Sequence, residues 1–219
     1  MKAFDYEQAR YNMVEQQIRP WEVLDPRVLD LLFKVKREDF VPPAYRALAF
    51  ADLELPLSDH ARMWAPKMEA RVLQELAPAE SDRVLEVGTG SGYFCALLAS
   101  VAAQVTSVEI DPALAADART RLRRMGHSNA RVEVGDASRG YGNDTYDVIA
   151  LTGSTPILPG RFLEQLLPGG RVFAVVGEAP VMKARLIRWN APDSNVTVDL
   201  FETVVAPLDN ALTPERFAF

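Results

Sequence analysis

The chain is poor in the residues from which reactive centres are usually assembled. Its single cysteine, Cys95, has no partner for an internal disulfide, and two histidines, His60 and His127, with one thiol cannot complete a tetrahedral zinc site unaided. No metal centre is expected. Positive charge is also in deficit: 24 Lys and Arg stand against 30 Asp and Glu, giving a net charge of −6. That sign is wrong for a protein whose main partner is a phosphate backbone, so nucleic acid is excluded as the principal ligand. No run approaches the roughly 18 uninterrupted apolar residues of a membrane-spanning helix. The opening MKAFDYEQARYNMVEQQIRP lacks the apolar core of a secretion signal, so a cytoplasmic protein with no membrane partner is expected. Glycine, proline, apolar and charged contents are ordinary for a globular protein, which excludes disorder, collagen and low complexity. At 219 residues the chain suits one large domain, or one domain with an appended lobe.

Residues 1 to about 66 read as helical and irregular. Asp25-Pro26 places a good N-cap and first-turn pair before the apolar stripe Val28, Leu29, Leu31, Leu32, which predicts a helix over 26–34. The next stretch, REDFVPPAYRALAFADLELPLSDHARMWAP, has four prolines and little periodicity, so it should wrap a surface as a lid or substrate lobe rather than form strands. From Pro66 onward KMEARVLQELA is amphipathic at helical spacing. The short apolar runs RVLEV, QVTSVEI, ARVEV and YDVIAL then alternate with helix-length GYFCALLASVA and PALAADARTRLRRM. Strand and helix alternating in this way predict an α/β fold with a parallel, doubly wound sheet. After about residue 170 the runs RVFAVV, MKARLIRW and VTVDLFETVVA follow one another through short connections, which predicts an antiparallel edge. The closing NALTPERFAF is expected to dock as a tail. The organisation expected is a substrate lobe over 1–66 and a ligand-binding domain over 67–219, packed as one compact unit.

The sharpest local signal is VLEVGTGSGY, residues 84–93, a buried strand running into a glycine-rich turn that opens a helix. Gly88, Gly90 and Gly92 allow positive φ and a close backbone approach by a ligand. The third glycine comes one residue too early for a dinucleotide loop, and there is no lysine for a P-loop, so pyrophosphate is disfavoured. Glu109 ends the next strand 17 residues after Gly92, where a carboxylate could accept both hydroxyls of a ribose. Asp136, in Gly135-Asp136-Ala137 at the end of a third strand, could accept from an exocyclic amine such as adenine N6. Glu86, inside the first strand, is costly to bury unless it is paired, and a cationic or amine-bearing ligand would pair it. A nucleoside without phosphates fits these residues.

The segments VLEVGTGSGY, VTSVEID, VEVGDA, YDVIAL and LLPGGRVFAVVG resemble, in order and spacing, the successive motifs of class I S-adenosylmethionine-dependent methyltransferases. The EVGTGSGY form, the helix APKMEARVLQEL and the upstream DPRVLDLLFKVKREDFVP resemble those of the protein-L-isoaspartate (D-aspartate) O-methyltransferases, over about residues 10–206. The resemblance implies a Rossmann-like class I methyltransferase fold and S-adenosylmethionine as cofactor. It implies methyl transfer to the carboxylate of an isoaspartyl residue in a protein or peptide, by a monomer. Gly88, Thr89, Gly90 and Ser91 would hold the methionine end of the cofactor, Glu109 the ribose, and Asp136 with Ala137 the adenine. An acceptor carboxylate is already ionised at pH 7, so no general base is called for. The substrate side departs from the family pattern. Trp64 stands at the family's serine position, the usual glycines are missing from Leu57-Ser58-Asp59-His60-Ala61-Arg62, and Leu151-Thr152-Gly153-Ser154 replaces an Ala-rich run before Pro156.

Several residues keep two readings. Trp64 is either an aromatic wall of the acceptor pocket or core filling. Thr152 and Ser154 could meet the acceptor at the sheet's carboxyl edge or cap a helix ahead of Pro156. Arg62 and Lys67 could pair with an acceptor carboxylate or be solvated cations. Asp111-Pro112 reads as an N-cap and first-turn pair, Cys95 as a small buried residue, and neither histidine is given a role. Two alternatives stay open: a related methyltransferase with another acceptor, and a non-catalytic module that binds S-adenosylmethionine.

Overall fold

The computed structural model describes residues 4–190 and 194–214. Residues 1–3 of the opening segment and 215–219 of the expected docked tail lie outside the described residues. The N-terminal part comprises α1 (Tyr6–Met13), which runs on through a π turn and a 3-10 turn to Trp21, and α2 (Pro26–Lys34). Two further 3-10 turns lead to a hairpin of β1 (Leu55–Pro56) and β2 (Arg62–Met63), then to α3 (Pro66–Leu76). The rest of the chain alternates β3 (Arg83–Val87), α4 (Tyr93–Ala99), β4 (Gln104–Glu109), α5 (Pro112–Arg124) and β5 (Ala130–Val134). It ends with β6 (Tyr146–Thr155), a short α6 (Arg161–Glu164), β7 (Leu166–Glu178), β8 (Val181–Trp189) and β9 (Asn195–Glu202).

The helix starts follow the local chemistry. Asp25 accepts from Arg27 N at 2.9 Å with Pro26 in the first turn, and α2 covers the stretch read from the sequence. Asp111 accepts from Ala113 N at 2.7 Å and Leu114 N at 3.3 Å and opens α5 in the same way. Among the described residues no helix is long and apolar enough to cross a membrane.

Seven strands form one sheet in the order β5-β4-β3-β6-β7-β8-β9. Strands β3 to β7 are parallel, and β8 and β9 are antiparallel. The chain moves outward from β3 to β5 and then returns to β6 on the other side of β3. At that reversal the loops leaving β3 and β6 diverge and open a crevice at the strands' carboxyl ends. This is the α/β sheet with an antiparallel edge that the alternation predicts.

Two segments differ from expectation. The proline-rich stretch does form a ladder, with Leu55 opposite Met63 and Pro56 opposite Arg62. A proline is tolerated there because a two-stranded ribbon has free edges, and Ser58 Oγ braces the turn by accepting from His60 N at 3.3 Å and Ala61 N at 3.0 Å. Strand β6 continues beyond the apolar run to Thr155, because a register shift after Ala150 lets Ser154 pair with Val175.

The two faces of the sheet bury different things. Val84, Val105, Val148 and Phe173 point toward α3, α4, α5 and the N-terminal segment, in one apolar cluster with Phe40, Leu55 and Trp64. Leu85, Val108, Ile149 and Val172 point the other way, against Phe162. On the first face Arg37, 1% exposed, fastens the N-terminal segment. Its Nε donates to Glu69 Oε2 at 2.9 Å, and its terminal nitrogens donate to Ala49 O at 2.6 Å and Trp64 O at 2.5 Å. Removing one partner of a buried pair leaves the other charge uncompensated. Arg37→Ala is therefore expected to lower the unfolding free energy by about 3–5 kcal/mol in urea titrations; a loss below about 1 kcal/mol, the range of exposed pairs, would reject this role.

Candidate active site

β3 delivers the glycine loop to the crevice. Gly88 has φ +92°, and a Cβ there would lie 2.3 Å from Thr152 Oγ1. That hydroxyl is 2.9 Å from Val87 O and 2.7 Å from Gly88 O, so it ties the loop to β6. Gly90, at φ +52°, lies beneath the hairpin, where a Cβ would come within 3.1 Å of Leu57 Cδ1. The loop's neighbours, not the ligand alone, thus require these two glycines.

The carboxylates around the loop are held in different ways. Glu109 accepts from Gly90 N at 2.7 Å and Asp111 N at 3.1 Å. An ionised carboxylate offers about four lone-pair sites, so two remain for a ligand. Asp136 accepts from Ser138 N and Asn210 Nδ2, both at 2.9 Å. Burial pushes this carboxyl up, but the hydrogen bonds from Ser138 and Asn210 outweigh it and hold it below its ordinary range. Glu86 is fully buried and accepts from Ser107 Oγ at 2.5 Å, while Ser107 is 2.5 Å from Thr89 Oγ1. Its other oxygen, Oε1, is buried without a partner among the described residues. Burial drives Glu86 up to about 8, against the pull of hydrogen bonds from Ser107 and Cys95 and with a further push from Glu109. Glu69 is raised to about 7 by burial, although Arg37 opposes this.

One cavity gathers most of the residues singled out from the sequence. Glu86, the run 88–91, Glu109, Asp136, Ala137, Trp64 and Thr152 all line it. Gly92 does not; it packs on α5, where a Cβ would meet Ala118 Cβ at 3.2 Å. Ser154 does not either, which corrects its reading as an acceptor contact. The register shift in β6 turns its hydroxyl inward, fully buried, to donate to Val205 O at 2.8 Å. Nor does it cap a helix, since β6 runs on to Thr155. Trp64 belongs both to the cavity wall and to the core. It lines the cavity and packs against Phe94 and Phe173, with ring centroids 5.5 and 6.2 Å away. Cys95 is buried in α4, and His127 lies away from the cavity lining. Among the described residues no cluster of three or more His, Cys, Asp and Glu side chains could hold a metal ion.

Two parts of the wall are not singled out by the sequence reading. The segment 205–209 forms a roof, fixed by Ser154 N to Ala206 O and Leu208 N to Ser154 O, both at 2.9 Å. It joins β6 from some 50 residues away in sequence, and no local pattern announces it. Glu69 does leave a signal, because it shares the apolar stripe of α3 with Val72, Leu73 and Leu76.

Residues 8–210 match the model of the protein-L-isoaspartate (D-aspartate) O-methyltransferase family. The chain belongs to this family. Among curated family members, the Methanoculleus marisnigri protein-L-isoaspartate O-methyltransferase is 41% identical over 178 residues, covering 81% of each chain. That of Herpetosiphon aurantiacus is 38% identical over 191 residues, covering 87% of this chain and 84% of the relative. Two solved structures share the fold, each with a TM-score of 0.79. One is a protein-L-isoaspartate O-methyltransferase, 23% identical, in which the match covers 93% of this chain and 65% of that one. The other, 17% identical, is from Plasmodium falciparum, is described as a protein-L-isoaspartate O-methyltransferase in complex with S-adenosyl-L-homocysteine, and is matched over 94% and 99% of the two chains. The family fold is therefore the class I methyltransferase sheet described above.

Glu86 has a measurable consequence for the folded family member. Its raised value means that the folded state keeps a proton that the unfolded chain, with glutamate near about 4.3, has already released at neutral pH. The resulting stability is complete below about pH 4 and is lost as pH rises through about 8. Thermal melts of the ligand-free protein should fall across this window. Glu86→Gln should flatten the fall without abolishing it, since Glu69 is shifted in the same direction; slopes identical to wild type would contradict the assignment.

Proposed function

We propose that the protein is an S-adenosylmethionine-dependent O-methyltransferase that esterifies isoaspartyl carboxylates in proteins or peptides, leaving a methyl ester and S-adenosylhomocysteine. The observation that carries this reading is the cavity between the glycine loop and the hairpin, lined by backbone amides and carboxylates from the ends of β3, β4 and β5. The cofactor fits the residues present. Glu86 Oε1 is a buried polar atom with no partner among the described residues, suited to a hydrogen-bonding amine, and the loop carries no lysine or arginine that would favour phosphate. Gly88 to Ser91 hold its methionine end, Glu109 its ribose, and Asp136 with Ala137 its adenine. When bound, it supplies a methyl group on a positively charged sulfur.

The chain's own contribution is placement. An acceptor carboxylate has an ordinary pKa of about 4 and enters already ionised, so no side chain has to remove a proton. Holding two reactants in line is worth several kcal/mol of barrier by itself. Thr152 keeps the loop against β6, and Trp64, Met63 and Phe94 form an apolar wall that keeps water from the reacting atoms. Residues 1–66 are the acceptor lobe on the domain formed by 67–219. A cytoplasmic monomer, acting on protein or peptide chains and not on nucleic acid or membrane, completes the proposal.

Labelled cofactor incubated with an isoaspartyl peptide and its normal aspartyl twin is the direct test. Base-labile label is expected on the isoaspartyl peptide alone. No such label, with S-adenosylhomocysteine still binding by calorimetry, would move the acceptor elsewhere; no binding would remove the cofactor reading as well.

A further inference from the structure

The proposed reaction sets an electrostatic problem. Acidic side chains line the cavity along its length, from Glu54 and Glu69 through Glu86 and Glu109 to Asp111 and Asp136. Burial pushes Glu54, Glu69 and Glu86 toward their uncharged forms, so the wall's charge is uneven, but none of these six acids offers a partner to a second ligand that is itself an anion. Among the described lining residues only His60 and Arg62 can carry positive charge. The Arg62 side chain has no hydrogen bond or ion pair among the described residues. The charged group that feels it is Glu54, a half-buried carboxyl that burial raises and Arg62 lowers. Lys67, the other cation beside the departing motif, is already engaged. It pairs with Asp52 at 2.7 Å, lies 5.3 Å over the Trp21 ring and does not line the cavity.

The backbone that carries Arg62 is braced on both sides. Before it, the hairpin is closed by Leu57 N to Ala61 O at 2.9 Å and by the Ser58 hydroxyl. After it, the Trp64 carbonyl accepts from the buried Arg37 at 2.5 Å. Leu57 of the same hairpin reaches to the surface of Gly90. The hairpin therefore places Arg62, exposed and without an ion pair among the described residues, in the cavity wall, on the same ribbon whose Leu57 lies against Gly90.

We infer that Arg62 is the acceptor-binding residue of this chain, pairing with the substrate carboxylate and holding it at the cavity mouth. This rests on the isoaspartyl reading of the site. A guanidinium can hold one carboxylate oxygen through its fixed fork while the other stays free to receive the methyl group. Arg62 thus supplies, through charge, an anchor on the hairpin beside Trp64.

Two measurements test it. In steady-state kinetics Arg62→Gln should raise the KM for an isoaspartyl peptide about tenfold, as expected for losing a charged hydrogen bond. The affinity for S-adenosylhomocysteine should stay unchanged. Arg62→Lys should recover part of the loss, and Lys67→Ala should leave KM at the wild-type value. In calorimetry on protein loaded with S-adenosylhomocysteine, wild type should bind the isoaspartyl peptide about tenfold more tightly than the same peptide with that carboxylate replaced by a carboxamide. Arg62→Gln should erase the difference. A wild-type protein that does not distinguish the two peptides, or an Arg62→Gln variant with unchanged KM, overturns the assignment. Absence of methyl transfer to the isoaspartyl peptide by wild type overturns instead the reading on which it rests, and the two failures are read from different experiments.

Discussion

A single buried guanidinium joins the parts that make the site. Arg37 comes from the irregular N-terminal stretch, Glu69 from α3, and the Ala49 and Trp64 carbonyls from either end of the segment containing the hairpin. Each of these groups would be costly to bury alone. Collected on one fork-shaped cation they satisfy one another, and the segment is pinned with Leu57 against the glycine loop and Trp64 against Phe94 and Phe173. The joint thereby fixes the hairpin side of the cavity wall.

The cavity stores electrostatic tension of a kind that a cation relieves. Glu86 is buried with one oxygen unpartnered, and a second acid, Glu69, lies on the same wall with a proton affinity raised by burial. Replacing well-hydrated carboxylates by buried, protonated ones costs stability as pH rises. The arrangement persists because the surrounding sheet and helix over-determine it: Ser107 on β4 and Cys95 on α4 meet Glu86, and Thr89 in the loop holds Ser107. A ligand carrying an amine can then meet a polar group already in place rather than order flexible side chains.

The two ends of the cavity are built by different means. On the glycine-loop side the wall is built from backbone geometry and strand-end acids. On the hairpin side no residue from 57 to 62 takes a positive φ, so the turn needs no glycine and is braced by the Ser58 hydroxyl. Arg62 is exposed beside this turn, while Trp64 is buried against Phe94 and Phe173.

The alternation of apolar runs with helix-length segments, the Asp-Pro helix starts and the glycine spacing are local properties. Each expresses a backbone preference or a burial period over a few residues, and so the sheet, the glycine loop and the acids at its rim could be read along the chain. Glu69 was legible in principle as an acid on an apolar stripe. What the sequence could not disclose depends on where distant segments meet: the roof at 205–209, the inward turn of Ser154, the engagement of Lys67 by Asp52, and the isolation of Arg62. Whether a charged side chain is solvated, paired or waiting for a ligand is decided by its neighbours in space, and those are supplied only when the chain has closed on itself.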